Sequence, residues 1–217
     1  MKCWRRGSSA VSTIVPEQIA FDQFVVTPQE PTKRWTVAEY HELIRLGVLK
    51  SDDPYELIEG WLVTKMTHGA PHDYAILVLV EDIIRTLPAG WCCRGQSAIT
   101  LADGEPEPDV AVCVGPRSRY GIVHPTASEI AVVIEVSDTT LTRDRGIKLR
   151  TYARAGIPEY WIVNVIDRIV EVYTEPTANG LEPARYIHQQ DYPSGSIVPL
   201  KIAGQQCASF AVDELIR

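Results

Sequence analysis

From Trp35 onward the apolar positions follow two periods, one helical and one alternating. "TVAEYHELIRLG" (36–47) predicts a helix: Thr36 can cap it, Glu39 three residues later completes a capping box, and Gly47 can stop it. "YELIEGWLVTKM" alternates partly about Glu59-Gly60, which predicts two short strands in a hairpin. "PHDYAILVLVEDIIRTLP" runs from Pro71 to Pro88 with Leu77, Val80, Ile84 and Leu87 at helical spacing. Ile76, Val78, Leu79 and Ile83 fill its other sides, so this helix is expected to be buried on more than one side. "QSAITL", "DVAVCV" and "IAVVIEV" predict three strands, with "DGEPEPD" as a loop between the first two. "DRGIKLRTYARAG" predicts a helix with Leu149, Tyr152 and Ala153 on one face and Gly156 at its end. "EYWIVNV" and "RIVEVYT" predict a hairpin turning through Ile166 and Asp167. The tail "YIHQQDYPSGSIVPLKIAG" suggests one or two edge strands, and "SFAVDELI" a short closing helix.

This order predicts a mixed α/β domain with one central sheet. Helices do not alternate with every strand, which excludes a regular doubly wound fold. Residues 1–34 show little periodicity and contain Pro16, Pro28 and Pro31, so they form an N-terminal arm of unknown order. Residues 35–217 are expected to form a single domain, and a chain of 217 residues that is 45% hydrophobic suffices for one core.

The formal net charge is -7, which excludes a general nucleic-acid coat but not a local basic patch. Five cysteines, an odd count at irregular spacing, provide no zinc framework and suggest a reducing, cytoplasmic compartment. Cys113 is expected in the core, and adjacent Cys92 and Cys93 could pair only under strain. The first residues carry early charge and no continuous apolar stretch of signal-peptide length. The longest apolar run is interrupted by Glu81, Asp82 and Arg85, so no membrane span is expected.

Against this pattern a few polar residues stand out. Glu135 lies inside the apolar run "IAVVIEV", where an unpartnered carboxylate costs several kcal/mol, roughly. Asp109 begins "DVAVCV". If the two strands pair, both carboxylates can face one cleft and form an oxygen site for a hard cation such as Mg²⁺. The alternatives are a turn-capping role for Asp109 and a sheet-end ion pair for Glu135. Arg143, Arg145, Lys148, Arg150 and Arg154 set five positive charges against Asp144 alone, a patch suited to phosphate or to a solvated helix face. Lys148 borders the apolar face of its helix, so its amine can be aimed at the sheet to steady a water or a charged transition state, or can merely cover the core edge. Glu56, His72 and Gln96 are accessory candidates, each also explicable as an ordinary strand or first-turn residue. No P-loop, GxGxxG, G-x-S-x-G or HExxH pattern is present.

"YELIEGWLV", "EPEPDVAVCV" and "HPTASEIAVVIEVSDTTLTRDRGIKLRTYARAGIPEYWIVN" together resemble the Uma2 family of restriction-endonuclease-like proteins, within the PD-(D/E)xK nuclease superfamily. The likeness runs from about Trp35 onward. It implies a restriction-endonuclease-like α/β fold with a mixed central β-sheet flanked by helices, a Mg²⁺ or Mn²⁺ cofactor, and hydrolysis of nucleic-acid phosphodiester bonds. Pro108-Asp109 matches the family's "PD", and Glu135 its second acid, which makes both metal ligands. Serine stands at 137 where the superfamily has its lysine, and Lys148 in the following helix fits that role. Glu56, His72 and Gln96 match recurrent polar positions. Arg143, Arg145 and Arg150 are expected phosphate contacts, and DNA is the expected partner ahead of RNA. Two alternatives stay open: a nuclease-like binding module without turnover, and a homodimeric interaction protein.

Overall fold

The structure is a computed structural model that describes residues 32–50, 52–177 and 184–216. The arm expected at residues 1–34 lies, apart from its last three residues, outside the described residues. Arg34–Arg217 forms one compact unit.

Helix α1 (Val37–Arg45) begins as its sequence requires: Thr36 accepts from the Glu39 amide, and the Glu39 carboxylate takes the Thr36 amide in return. Strands β1 (Tyr55–Ile58) and β2 (Trp61–Thr64) form the expected hairpin. Its two-residue turn needs positive φ at both positions, which Glu59 (50°) and Gly60 (79°) supply.

Six strands form the central sheet in the order β3-β4-β5-β6-β7-β8: β3 (Trp91–Gly95), β4 (Val110–Val114), β5 (Ile130–Ser137), β6 (Glu159–Asn164), β7 (Ile169–Pro176) and β8 (Tyr186–Pro193). All neighbours are antiparallel except β5 and β6, so the sheet is mixed, as expected. The parallel pair needs a crossover. It is made by α3 (Leu141–Arg143), a wide π turn over Asp144–Lys148, and α4 (Leu149–Ala155), which ends at Gly156 in the left-handed region. A second hairpin, β9 (Ile197–Ile202) and β10 (Gln205–Ala211), leads into α5 (Val212–Leu215).

The two sheet faces carry separate cores. On one, α2 (Ala70–Thr86), β9, β10 and α5 pack against Val110, Val132, Ile134, Trp161 and Val170. On the other, Tyr152, Ala153 and Ile157 pack against Val133, Tyr160, Ile162 and Tyr173. All eight residues of β5 are buried, which explains their near-continuous apolar character.

Three expectations are corrected. The face of α2 that meets the sheet is Ala75, Ile76, Leu79 and Ile83, whereas Leu77 and Ile84 are more than half exposed. The first strand of the sheet is Trp91–Gly95 and not "QSAITL": after Gly95 the chain leaves the ladder through Gln96 at φ 43°, although Ile99 and Leu101 are still buried. The segment beginning "SFA" continues β10, because its residues pair with Val198, Pro199 and Ile197, and only Val212–Leu215 turn helical.

Candidate active site

Asp109 sits one residue before β4, which pairs with β5 through Val110 and Ile134. Its carboxylate accepts the Val136 amide at 2.8 Å, which locks it beside the end of β5. Glu135 follows Val133 on the α4 face of the sheet, and its Oε1 accepts from Lys148 Nζ at 2.9 Å and from the Tyr152 hydroxyl at 2.6 Å. The π turn widens the crossover helix by one residue at the point where Lys148 projects toward β5. Thus Lys148, thirteen residues along the chain, reaches Glu135 although Ser137 occupies the nearer position.

Asp109, Glu135 and Lys148 line one pocket of about 130 Å³, together with Glu56, His68, His72, Gln96 and Arg143. Glu56 is 3% exposed; its Oε2 accepts the Glu107 amide at 3.1 Å, and its Oε1 lies 3.6 Å from Arg143 and 3.9 Å from Lys148. Gln96 donates its backbone amide to the Asp109 carbonyl at 2.9 Å. His72, on the first turn of α2, places Nε2 3.2 Å from Asp109 Oδ2. Arg143 at the rim donates to the Thr64 carbonyl at 2.6 Å.

Arg145 and Arg150 are elsewhere. Arg145 chelates the buried carboxylate of Glu171, which also accepts from Tyr173. Arg150 grips Glu59 through two hydrogen bonds of 2.9 and 2.8 Å, and Arg154 bridges Glu59 to Asp103. Burial alone would raise the Glu59 pKa, but Arg150, Arg154 and Thr151 hold it below its ordinary value. Both arginines clamp the crossover helix to its neighbours.

Sequence reasoning passed over Asp144, Tyr152 and His68. Asp144 is buried in the pocket wall, where its carboxylate accepts from Ser137 and Thr140. Ser137, in the expected lysine position, therefore anchors an acid of the crossover helix. The one available signal was the four-residue spacing of Asp144 and Lys148.

Six carboxyl groups and three cationic side chains line the pocket, a strongly acidic balance for a partly enclosed space. Burial raises the Glu135 pKa to about 8; Lys148 opposes the rise, while Asp109 and Asp144 add to it. Burial would lower the pKa of Lys148, but Glu135, Glu56 and Asp144 outweigh it and hold the amine charged. Burial would likewise lower the His72 pKa, and the Asp109 carboxylate reverses that shift. His72 Nδ1 is buried without a hydrogen-bond partner, because Asp73 is 3.6 Å away. Such an orphan costs about 1–3 kcal/mol. The donor set fits a hard divalent ion: oxygen ligands predominate, and the excess negative charge is of the kind such an ion offsets.

Residues 37–206 match the Uma2 family, described as "putative restriction endonuclease". The chain belongs to the Uma2 family. Among solved structures, it resembles a "putative nuclease belonging to DUF820" from Anabaena variabilis, with a TM-score of 0.60 and 16% identity, covering 83% of this chain and 96% of that one. At that identity the likeness is one of fold, and it gives the Uma2 chain a nuclease-like α/β architecture. No curated protein sequence matches the chain. No helix among the described residues is long and apolar enough to cross a membrane.

Proposed function

We propose that the chain is a metal-dependent endonuclease that hydrolyses phosphodiester bonds, with DNA as its preferred substrate. The observation that supports this most is a buried Lys148–Glu135 pair sharing one acidic pocket with Asp109. Membership of a family described in terms of restriction endonucleases points the same way.

In this reading Asp109 and Glu135 hold a Mg²⁺ or Mn²⁺ ion, with Glu56 on the adjoining wall as an accessory acid. Such an ion, when bound, supplies Lewis-acid polarisation of the phosphoryl group and lowers the pKa of water. The chain's own residues do the rest. Lys148 orients the attacking water and offsets charge that develops on the phosphoryl oxygens. Tyr152 shares Glu135 Oε1 with the lysine and so fixes both side chains. The Val136 amide fixes Asp109, and His72 holds the same carboxylate from the helix side. Arg143, tied to the rim, holds a flanking phosphate. Arg145 and Arg150 act as scaffold, since each is committed to a buried glutamate. The catalytic unit is residues 35–217 in the cytoplasm, with residues 1–34 as an appended arm.

A second reading, binding without turnover, draws support from Ser137 in the lysine position and from the net charge of -7. The purified full chain incubated with DNA and RNA, with and without Mn²⁺ or Mg²⁺, separates the two. Endonuclease activity predicts cation-dependent cutting of DNA that Asp109→Ala and Glu135→Ala each abolish. Cutting that survives both substitutions contradicts this site, and saturable binding without cutting favours the second reading.

A further inference from the structure

The orphaned Nδ1 of His72 points to a second site. His68, just before α2, stacks its ring on that of His72 with centroids 4.4 Å apart. Its Nδ1 is 2.5 Å from Asp73 Oδ1, and the same oxygen is 3.6 Å from His72 Nδ1. One ligand atom from each of the three residues lies within 4.8 Å of the other two. We propose that His68, His72 and Asp73 form a binding site for a divalent ion that prefers imidazole, of which Zn²⁺ is the type. His68 and His72 line the same pocket as Asp109 and Glu135, but the site uses ligand atoms other than that carboxylate pair and does not depend on the hydrolytic reading.

Three features converge on it. The first is geometry: tetrahedral ligands at ~2.0 Å from a zinc ion stand roughly 3.3 Å apart. The His72–Asp73 spacing is close to that, and the shorter His68–Asp73 contact joins two side chains that are 39% and 59% exposed and free to part slightly. The second is the orphan itself. His72 Nδ1 lies 3.6 Å from the Asp73 carboxylate without a hydrogen-bond partner, on a side chain only 7% exposed. The third is the far side of the same ring. A metal-bound histidine ordinarily donates its other N–H to a carboxylate, which fixes the tautomer. Here His72 Nε2 lies 3.2 Å from Asp109 Oδ2, and a proton held on that nitrogen would leave the Nδ1 lone pair for the ion. The positive end of α2 opposes a cation at this place, and Asp73, Asp109 and Asp138 around the histidine offset it. Two imidazoles and one carboxylate select an imidazole-binding ion over Mg²⁺. Three protein ligands also leave a fourth position open. Because Asp109 serves His72 from one oxygen and lines the pocket, occupancy of this site stiffens a wall of the pocket.

Calorimetric titration of the full chain with Zn²⁺ tests this, with X-ray absorption of the loaded protein to identify the ligands. One ion per chain is expected at this site, with imidazole nitrogen at ~2.0 Å in its first shell. His68→Ala and Asp73→Ala, both at exposed side chains that the core does not need, are expected to weaken binding at least tenfold. Asp109→Asn is expected to weaken it roughly tenfold, as loss of a second-sphere carboxylate does. Glu135→Gln should leave it within twofold. Failure to bind Zn²⁺, a sulfur or all-oxygen shell, or indifference to both His68→Ala and Asp73→Ala overturns the site. If Glu135→Gln removes binding as fully as His68→Ala does, the ion sits in the carboxylate pocket; this site then falls while the pocket reading stands.

Discussion

Replacing Lys148 by Met removes one charge from the most enclosed ion pair of the pocket and leaves its partner behind. Lys148 and Glu135 are 8% and 4% exposed along their side chains, and their 2.9 Å contact is reinforced by Tyr152. Breaking a buried pair from one side costs about 3–5 kcal/mol when the remaining charge must persist. Glu135 can evade part of that cost by taking a proton, and its pKa is already raised to about 8 by burial. The sign follows from that shift. A carboxyl group whose folded pKa exceeds its unfolded value contributes stability in full below the unfolded value and loses it as pH rises through the folded one. Without the lysine, the Glu135 pKa climbs further, and each added unit costs ~1.4 kcal/mol once the wild-type group has ionised. Lys148→Met should therefore destabilise by only ~1–2 kcal/mol in mildly acidic solution, where protonation relieves the unpaired Glu135 carboxyl. The loss should grow to roughly 3 kcal/mol or more above pH 8. Denaturant unfolding across pH 6–9 measures it, and Glu135→Gln with Lys148→Met should remove the pH dependence. A cost below ~0.5 kcal/mol that does not change with pH would refute the coupling. Cleavage should fall by at least ~10²-fold in both variants, as when a preorganised charge-stabilising donor is lost.

Further outcomes follow from the same geometry. Arg143→Ala should raise KM for DNA and reduce the salt dependence of binding by about one counterion, measured by titration at several ionic strengths. Arg150→Ala should cost ~1–2 kcal/mol through loss of the Glu59 clamp yet leave KM unchanged, and a KM effect equal to that of Arg143→Ala would return Arg150 to the substrate. Burial raises the Glu159 pKa to about 7, against a hydrogen bond from Trp161, so its stabilising contribution is present below pH 4.5 and lost as pH rises through 7. Glu159→Gln should flatten that decline, visible as a smaller drop in Tm between pH 5 and 8. Chelation of divalent ions should abolish cleavage, and added Mn²⁺ should restore it.

What the chain discloses by itself depends on whether the deciding contact is local. The Glu59-Gly60 turn, the Thr36 cap and the β5 run were legible because each is specified by neighbours in sequence. Glu135 was legible because a charge inside a buried strand demands a partner, and its proximity to Lys148 was legible from helical facing. Helix α2 misled because apolar residues lie all round it; periodicity could not rank Ile76 above Leu77, and packing against the sheet decided it. Strand β3 was hidden by Arg94 and two cysteines, while "QSAITL" mimics a strand by burying Ile99 without a ladder. The scaffold roles of Arg145 and Arg150 rest on Glu171 and Glu59, 26 and 91 residues away, beyond the reach of any local pattern. His68 gave no signal alone, since the role proposed for it depends on the unpaired nitrogen of His72.

The most direct test of the central claim is the anomalous difference density of crystals of the full chain soaked in Mn²⁺. The account predicts an ion between the carboxylates of Asp109 and Glu135, with Lys148 Nζ in the same pocket. An ion bound only elsewhere, or a pocket that stays free of Mn²⁺ at saturating concentration, would contradict it.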